Sequence, residues 1–162
     1  MPQSFTIRPA GRTDVNAILA MIRELAEFEH LTHLCTASVA QLEEELFGPA
    51  SKAEALIALS GEEAVGYAIY FHNFSTFLGR RGLYLEDLYV RPAHRHLGCG
   101  RALLIAVARI AAERKCGRFE WMALDWNTPA IEFYEKLGAQ QLAEWRLLRV
   151  TGDALQKLAS LT

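Results

Sequence analysis

The 162-residue chain has little of what marks the special classes of protein. It has three cysteines, Cys35, Cys99 and Cys116, an odd number at no metal-type spacing. That argues against a disulfide scaffold and points to a reducing compartment. It has no Pro/Gly/Ser-rich linker and no internal repeat, so one domain over residues 1–162 is expected. It has no excess of positive charge: 17 Lys+Arg against 19 Asp+Glu leave −2, too few for sequence-independent attraction to nucleic acid or an anionic membrane. No run reaches the ~20 apolar residues of a membrane span, and the most apolar stretch, Ala102 to Ala112, is broken by Arg109. The start, Met1-Pro2-Gln3-Ser4, lacks a cationic segment leading into an apolar core, so a cytoplasmic location is expected. What is present is the composition of a globular domain, 51% apolar and 22% charged, which excludes a disordered chain.

Hydrophobic periodicity supplies the elements. Phe5 to Arg8 reads as a short strand. Val15, Ile18, Leu19, Ile22, Leu25 and Ala26 recur at helical spacing behind Thr13 as N-cap, and Val39 to Leu46 is a second helix stopped by Gly48-Pro49. Ala55–Leu59 and Val65–Phe71 form a hairpin about Gly61-Glu62-Glu63, and Leu83–Val90 is a further strand. Gly98-Cys99-Gly100 opens a long helix, and Phe119–Leu124 is a strand. Thr128 caps a helix that has Pro129 at its first position and ends at Gly138, Leu147–Thr151 is a last strand, and Ala154–Leu161 a closing helix. The order β–α–α–β–β–β–α–β–α–β–α predicts an α/β (α+β) mixed sheet with helices on both faces.

The chemistry concentrates in Leu83–Val90 and the loop that follows, Arg91-Pro-Ala-His-Arg-His-Leu-Gly-Cys-Gly-Arg101. A strand feeding a basic, glycine-containing loop and a helix N-terminus converges backbone N–H groups and a positive dipole on one point, as a pyrophosphate requires. A Walker loop fails, because Arg101-Ala102 follows the second glycine, and a dinucleotide fingerprint fails at Leu103. What remains is Arg95-x-x-Gly98-x-Gly100, which alone fits a plain strand-to-helix turn equally well.

In that context the motif resembles the cofactor loop of the GNAT superfamily of acetyl-CoA-dependent N-acetyltransferases. Asp125-Trp126-Asn127 followed by Ala130-Ile-Glu-Phe-Tyr134-Glu-Lys-Leu-Gly-Ala139 is similar to that family's second signature, and Ile7-Arg8-Pro9-Ala10 and Glu24–Glu29 extend the likeness over nearly the whole chain. The diamine (spermidine/spermine) and thialysine acetyltransferases are the group it most resembles. The resemblance implies a mostly antiparallel GNAT sheet and acetyl-CoA as cosubstrate without a metal. It also implies a small-molecule amine as acceptor, a homodimer, and no nucleic-acid or membrane partner.

By the same resemblance, Leu88, Tyr89 and Val90 pair with the pantetheine arm. Arg95, His96, Leu97, Gly98, Cys99, Gly100 and Arg101 cradle the pyrophosphate, with His96 standing where relatives often carry glycine. Asn127, Pro129 and Ala130 hold the pantetheine end, with an ordinary helix cap as the alternative. Tyr134 is the candidate acid for the leaving thiolate, the alternative being packing with Ile131 and Leu137. Glu86 is the candidate base, or else a structural partner, while Asp87 is expected to point to the opposite face of the strand. Phe28, Glu29, Ser75, Phe77, Glu120, Trp121 and Met122 are implied at the amine site, where a carboxylate and aromatic rings suit a cation. Ser75-Thr76 and Leu124–Asn127 look more like the thialysine branch, which puts a lysine-like amino acid ahead of a polyamine. Direct transfer in a ternary complex is expected, and a Cys99 thioester is not. His30-x-x-His33-x-Cys35 is expected to be surface residues and not a metal site. A peptide acetyltransferase and a non-catalytic CoA-binding sensor are the competing functions.

Overall fold

A computed structural model describes residues 4–162; Met1, Pro2 and Gln3, read above for a leader segment, lie outside them. Five strands make one sheet in the order β1-β2-β3-β4-β5, with β1 at Thr6–Pro9, β2 at Ala53–Ser60, β3 at Glu63–Ser75, β4 at Arg80–Val90 and β5 at Phe119–Trp121. The first four pair antiparallel in chain order, and only β5 joins in parallel, after a helical crossover.

Alternation assigns the two faces. Ala55, Ile57, Tyr67, Ile69 and Tyr89 point to one face, where Ile18 and Met21 of α1 (Val15–Phe28) and Leu46 of α2 (Val39–Phe47) close the core over them. Gly66 turns to the other face, where a side chain would meet Leu103 of α3 (Cys99–Glu113), so helices cover both sides. Ser38 caps α2 by a reciprocal box with Gln41: the Ser38 hydroxyl accepts from the Gln41 N–H at 3.3 Å, and the Gln41 carbonyl from the Ser38 N–H at 2.9 Å.

The start of α1 differs from the expectation. A 3-10 turn, Arg12–Asp14, precedes it, and Asp14 is the N-cap in place of Thr13. The Asp14 carboxylate caps nothing in the helix; it accepts from Nη1 and Nη2 of Arg8, at 2.7 and 2.9 Å, and from the Gly11 N–H at 2.7 Å, tying β1 to the turn.

The chain divides after Met122 into two compact units, and residues 123–162 form the second. Within it, α4 is Thr128–Lys136 and α5 is Gly152–Ala159. Gly138, at φ +97°, follows α4 as the stop signal predicted. The strand predicted over Leu147–Thr151 does not form, and Phe119–Leu124 shortens to Phe119–Trp121. Leu147, Leu148 and Val150 are exposed. A strand forms only where its backbone pairs with a neighbour, and residues 147–151 carry no strand pairing among the described residues. Among those residues no helix is long and apolar enough to cross a membrane.

Candidate active site

The site begins with a register shift. Ile69 of β3 faces Asp87, but the next residue, Tyr70, faces Leu85, so Glu86 is an extra residue in β4. A bulge interrupts strict alternation and re-aims the side chains beyond it. Glu86 and Asp87 therefore line the same cleft, where sequence alternation had put them on opposite faces. Glu29 after α1 and Glu45 of α2 complete the acidic lining, over a floor that includes Ile22, Leu25 and Leu42. The cleft measures about 570 Å³, and among the described residues no Lys or Arg lines it.

These carboxylates lack the cations that usually offset burial. Burial, reinforced by the charge of Glu86 and opposed by a hydrogen bond from Tyr67, pushes Asp87 up to about 6. Burial also raises Glu29. Tyr67 is 0% exposed, its hydroxyl donates to Asp87 at 3.2 Å, and burial with the neighbouring carboxylate raises it well above the ordinary phenol value. Such a site gains by taking up a positive charge.

Beside the cleft, β4 outruns its neighbour. β5 pairs only with Leu83, Tyr84 and Leu85, leaving Glu86 to Val90 without a strand partner on that edge among the described residues. Leu88, Tyr89 and Val90 thus lie where an extended ligand arm could pair, although the Val90 carbonyl already accepts from Arg95 Nε at 2.9 Å. Arg95 stacks over the rings of Phe28 and Tyr89, 5.0 and 5.5 Å from their centres, so both Arg95 and Phe28 brace the strand end, and Phe28 is not among the cleft residues. Arg91 is taken up by Glu24, at 3.0 Å, and by the Ala64 carbonyl.

The loop then turns into α3. The first helical bond runs from the Ala102 N–H to the Gly98 carbonyl, so the N–H groups of Cys99, Gly100 and Arg101 stand ahead of the hydrogen-bonded spiral. His96 and Gly98 take left-handed φ of 62° and 88°, which makes His96 the strained residue of the turn. Leu97 is exposed. Cys99 is 1% exposed and burial pushes its thiol up to about 11, the opposite of an activated nucleophile.

The remaining candidates of the first unit scatter. Ser75 is buried and accepts from the Leu78 N–H at 3.3 Å, shaping the β3–β4 turn. Phe77 is wholly exposed at that turn, and Met122 is exposed beyond β5. Glu120 pairs with Arg118 at 3.0 Å and accepts from Asn73 Nδ2 at 2.8 Å, and Trp121 packs on Phe119. Of the expected amine-binding residues, only Glu29 lines the cleft. Sequence reading missed Asp87, Glu45 and Tyr67; the adjacent pair Glu86-Asp87 was the available signal, hidden by a bulge no local pattern announces. Among the described residues, no group of three or more His, Cys, Asp or Glu side chains is placed to hold a metal ion.

In the second unit, Asn127 precedes α4 as its N-cap through its carbonyl, with Pro129 and Ala130 in the first turn. The sequence had put Thr128 there. The Asn127 side chain makes no capping bond. Tyr134 is half-buried beside Phe133, ring centres 5.2 Å apart.

The profile of the acetyltransferase (GNAT) family matches residues 19–139. The chain belongs to that family. This GNAT acetyltransferase is 39% identical to thialysine N-epsilon-acetyltransferase of Mus musculus, over 96% of this chain and 98% of that one. It is 34% identical to L-ornithine N5-acetyltransferase of Arabidopsis thaliana, over 96% and 88%. Among solved structures, an integron cassette protein from V. cholerae superposes with a TM-score of 0.82 at 26% identity, covering 98% of this chain and 99% of that one. The GNAT sheet expected from sequence is the sheet observed, five-stranded and mostly antiparallel with helices on both faces.

Proposed function

We propose that the protein transfers the acetyl group of acetyl-CoA to a primary amine of a small cationic molecule, directly, in a ternary complex. The observation that carries this is the acidic, cation-free cleft opening at the β4 bulge, beside the unpaired strand edge and the α3 N-terminus. Residues 96–101 receive the pyrophosphate on backbone N–H groups, and Leu88–Val90 offer backbone to the pantetheine arm. Asn127, Pro129 and Ala130 hold its thioester end. A carboxylate of the cleft, Glu86 directly or through water, takes the proton of the ammonium. The free amine then attacks the thioester carbonyl, the C–S bond breaks, Tyr134 protonates the departing thiolate, and the proton left on the acetylated nitrogen restores the Tyr134 hydroxyl. The raised thiol of buried Cys99 speaks against an acetyl-cysteine intermediate.

The relatives support an amino-acid acceptor such as thialysine or ornithine, and a human spermidine/spermine N(1)-acetyltransferase-like protein 1, 32% identical over 96% of this chain and 24% of its own length, supports a polyamine. The cleft adds one observation to the second reading: no Lys or Arg in its lining would meet an α-carboxylate. Thiol release from acetyl-CoA over thialysine, lysine, ornithine, diamines, spermidine and short peptides tests both. Release with one class of small amine, strongly reduced in Tyr134→Phe, is the expected result. Binding of acetyl-CoA without release, indifferent to Tyr134→Phe, would make the chain a sensor instead.

The working form is a homodimer. Leu142, Trp145, Leu147, Leu148 and Val150, with Leu155, Leu158 and Leu161 about α5, are all exposed, an apolar series that a second copy would cover. A monomer mass by light scattering at assay concentration would remove this assignment. The free thiols of Cys35, Cys99 and Cys116 suit the cytoplasm.

A further inference from the structure

Among the described residues, the hydrogen-bond donor to Asp87 is Tyr67. Tyr67 reaches it from β3 at 3.2 Å and is itself wholly buried beneath α1 and α2. The other ionisable groups facing Asp87 in the cleft are Glu86 on its own strand, Glu29 from the end of α1, Glu45 from α2 and Cys35 from the loop between those helices. None of the four brings positive charge. A carboxylate so placed would take a proton at mild acidity and lose its attraction for a cation.

We propose that Tyr67 is a positioning residue for amine capture: its hydroxyl orients the Asp87 carboxylate toward the cleft and keeps it ionised, so that Asp87 receives the cationic nitrogen of the acceptor. This rests on the functional reading above. Tyr67 touches no substrate and acts through Asp87. The hydrogen bond favours the charged form, against burial and the neighbouring acids. The direction follows: removing the hydroxyl raises the pH below which Asp87 is neutral.

The test compares the wild type with Tyr67→Phe, which keeps the ring and so the packing. Carboxyl ¹³C NMR, with Asp87 assigned by Asp87→Asn, follows the titration without substrate, and kcat and KM for the amine are measured from pH 5 to 8. The expected result is an upward shift of the Asp87 titration by about one pH unit, the same shift of the acid limb of kcat/KM, and a rise in KM of about fivefold near pH 6 with kcat little changed. An unmoved titration, or a moved titration with an unmoved acid limb, overturns the proposal. If the wild type acetylates no amine, the functional reading fails, and amine capture by Asp87 with it. The NMR titration then stands as a separate result on whether Tyr67 sets the ionisation.

Discussion

Two sets of carboxylates in the same small domain have opposite environments. Asp14 and Glu54 each meet an arginine fork: Asp14 holds Arg8 at 2.7 and 2.9 Å, and Glu54 holds Arg114, with Nη2 to Oε2 at 2.8 Å. The arginine hydrogen bonds pull both acids below their ordinary values. Asp87 and Glu29, in the cleft, meet apolar surface and one another, and burial pushes both up. The first pair ties the scaffold together; the second keeps charge unspent in the cleft for an incoming ligand. An acid without a cation in a cleft is thus a better pointer to function than an acid with one.

Exchanging the roles gives the largest effect. Asp87→Asn is expected to lower kcat/KM for the amine about 10–100-fold, mostly through KM, as loss of a charged hydrogen-bond partner predicts, whereas Asp14→Asn leaves KM unchanged. Steady-state kinetics at pH 7.5 on both variants decides, and equal losses in the two would erase the distinction.

Stability should move the other way. Asp14→Ala removes a buried partner of Arg8 and the acceptor of the Gly11 N–H, at a cost of about 2 kcal/mol measured by urea unfolding. Asp87→Asn should stabilise the protein at pH 7.5 by about 1–2 kcal/mol, since an ionised acid no longer sits in a poorly solvated cleft.

The pH dependence follows with opposite signs. The stabilisation from Asp14 and Glu54 is present above their unfolded values of 3.8 and 4.5, and disappears as pH falls through their lowered folded values. Asp87, raised to about 6, binds its proton more tightly in the folded state, so its contribution weakens the fold as pH climbs from about 4 to about 6. Unfolding free energy measured across that window should fall less steeply in Asp87→Asn than in the wild type.

The smallest effect lies at the cofactor loop. His96 holds φ at 62°, so His96→Gly trades backbone strain against unfolded-state freedom and should change stability by less than about 1 kcal/mol. Acetyl-CoA affinity by calorimetry should hold or improve. A large loss would show that the imidazole itself contacts the cofactor.

Particular residues show how far the sequence carried. Val15, Ile18 and Leu19 on α1 and the β2–β3 hairpin follow from periodicity and turn chemistry, which are local. The motif Arg95-x-x-Gly98-x-Gly100 located the turn into α3, because such a turn needs glycine where φ is positive. Arg95, expected at the pyrophosphate, sets its Nε on the Val90 carbonyl and its guanidinium over Tyr89 and Phe28, and the Phe28 contact is made by a neighbour distant in the chain. Leu147–Thr151 carries the composition of a strand without forming one, since composition states a preference for an edge and does not supply it.

The sequence by itself determined the order of helices and strands up to β5, the glycine turn into α3 and the family. Each rests on short-range spacing, which any stretch of chain carries with it. Tertiary structure alone decided which acids share a cleft. One extra residue in β4 turned Glu86 and Asp87 toward the same space, and α1 and α2 closed over Tyr67 and brought Glu29 and Glu45 within reach. A bulge is settled by how two strands fit together, and burial by what packs above them, and neither is written in the residues of one strand.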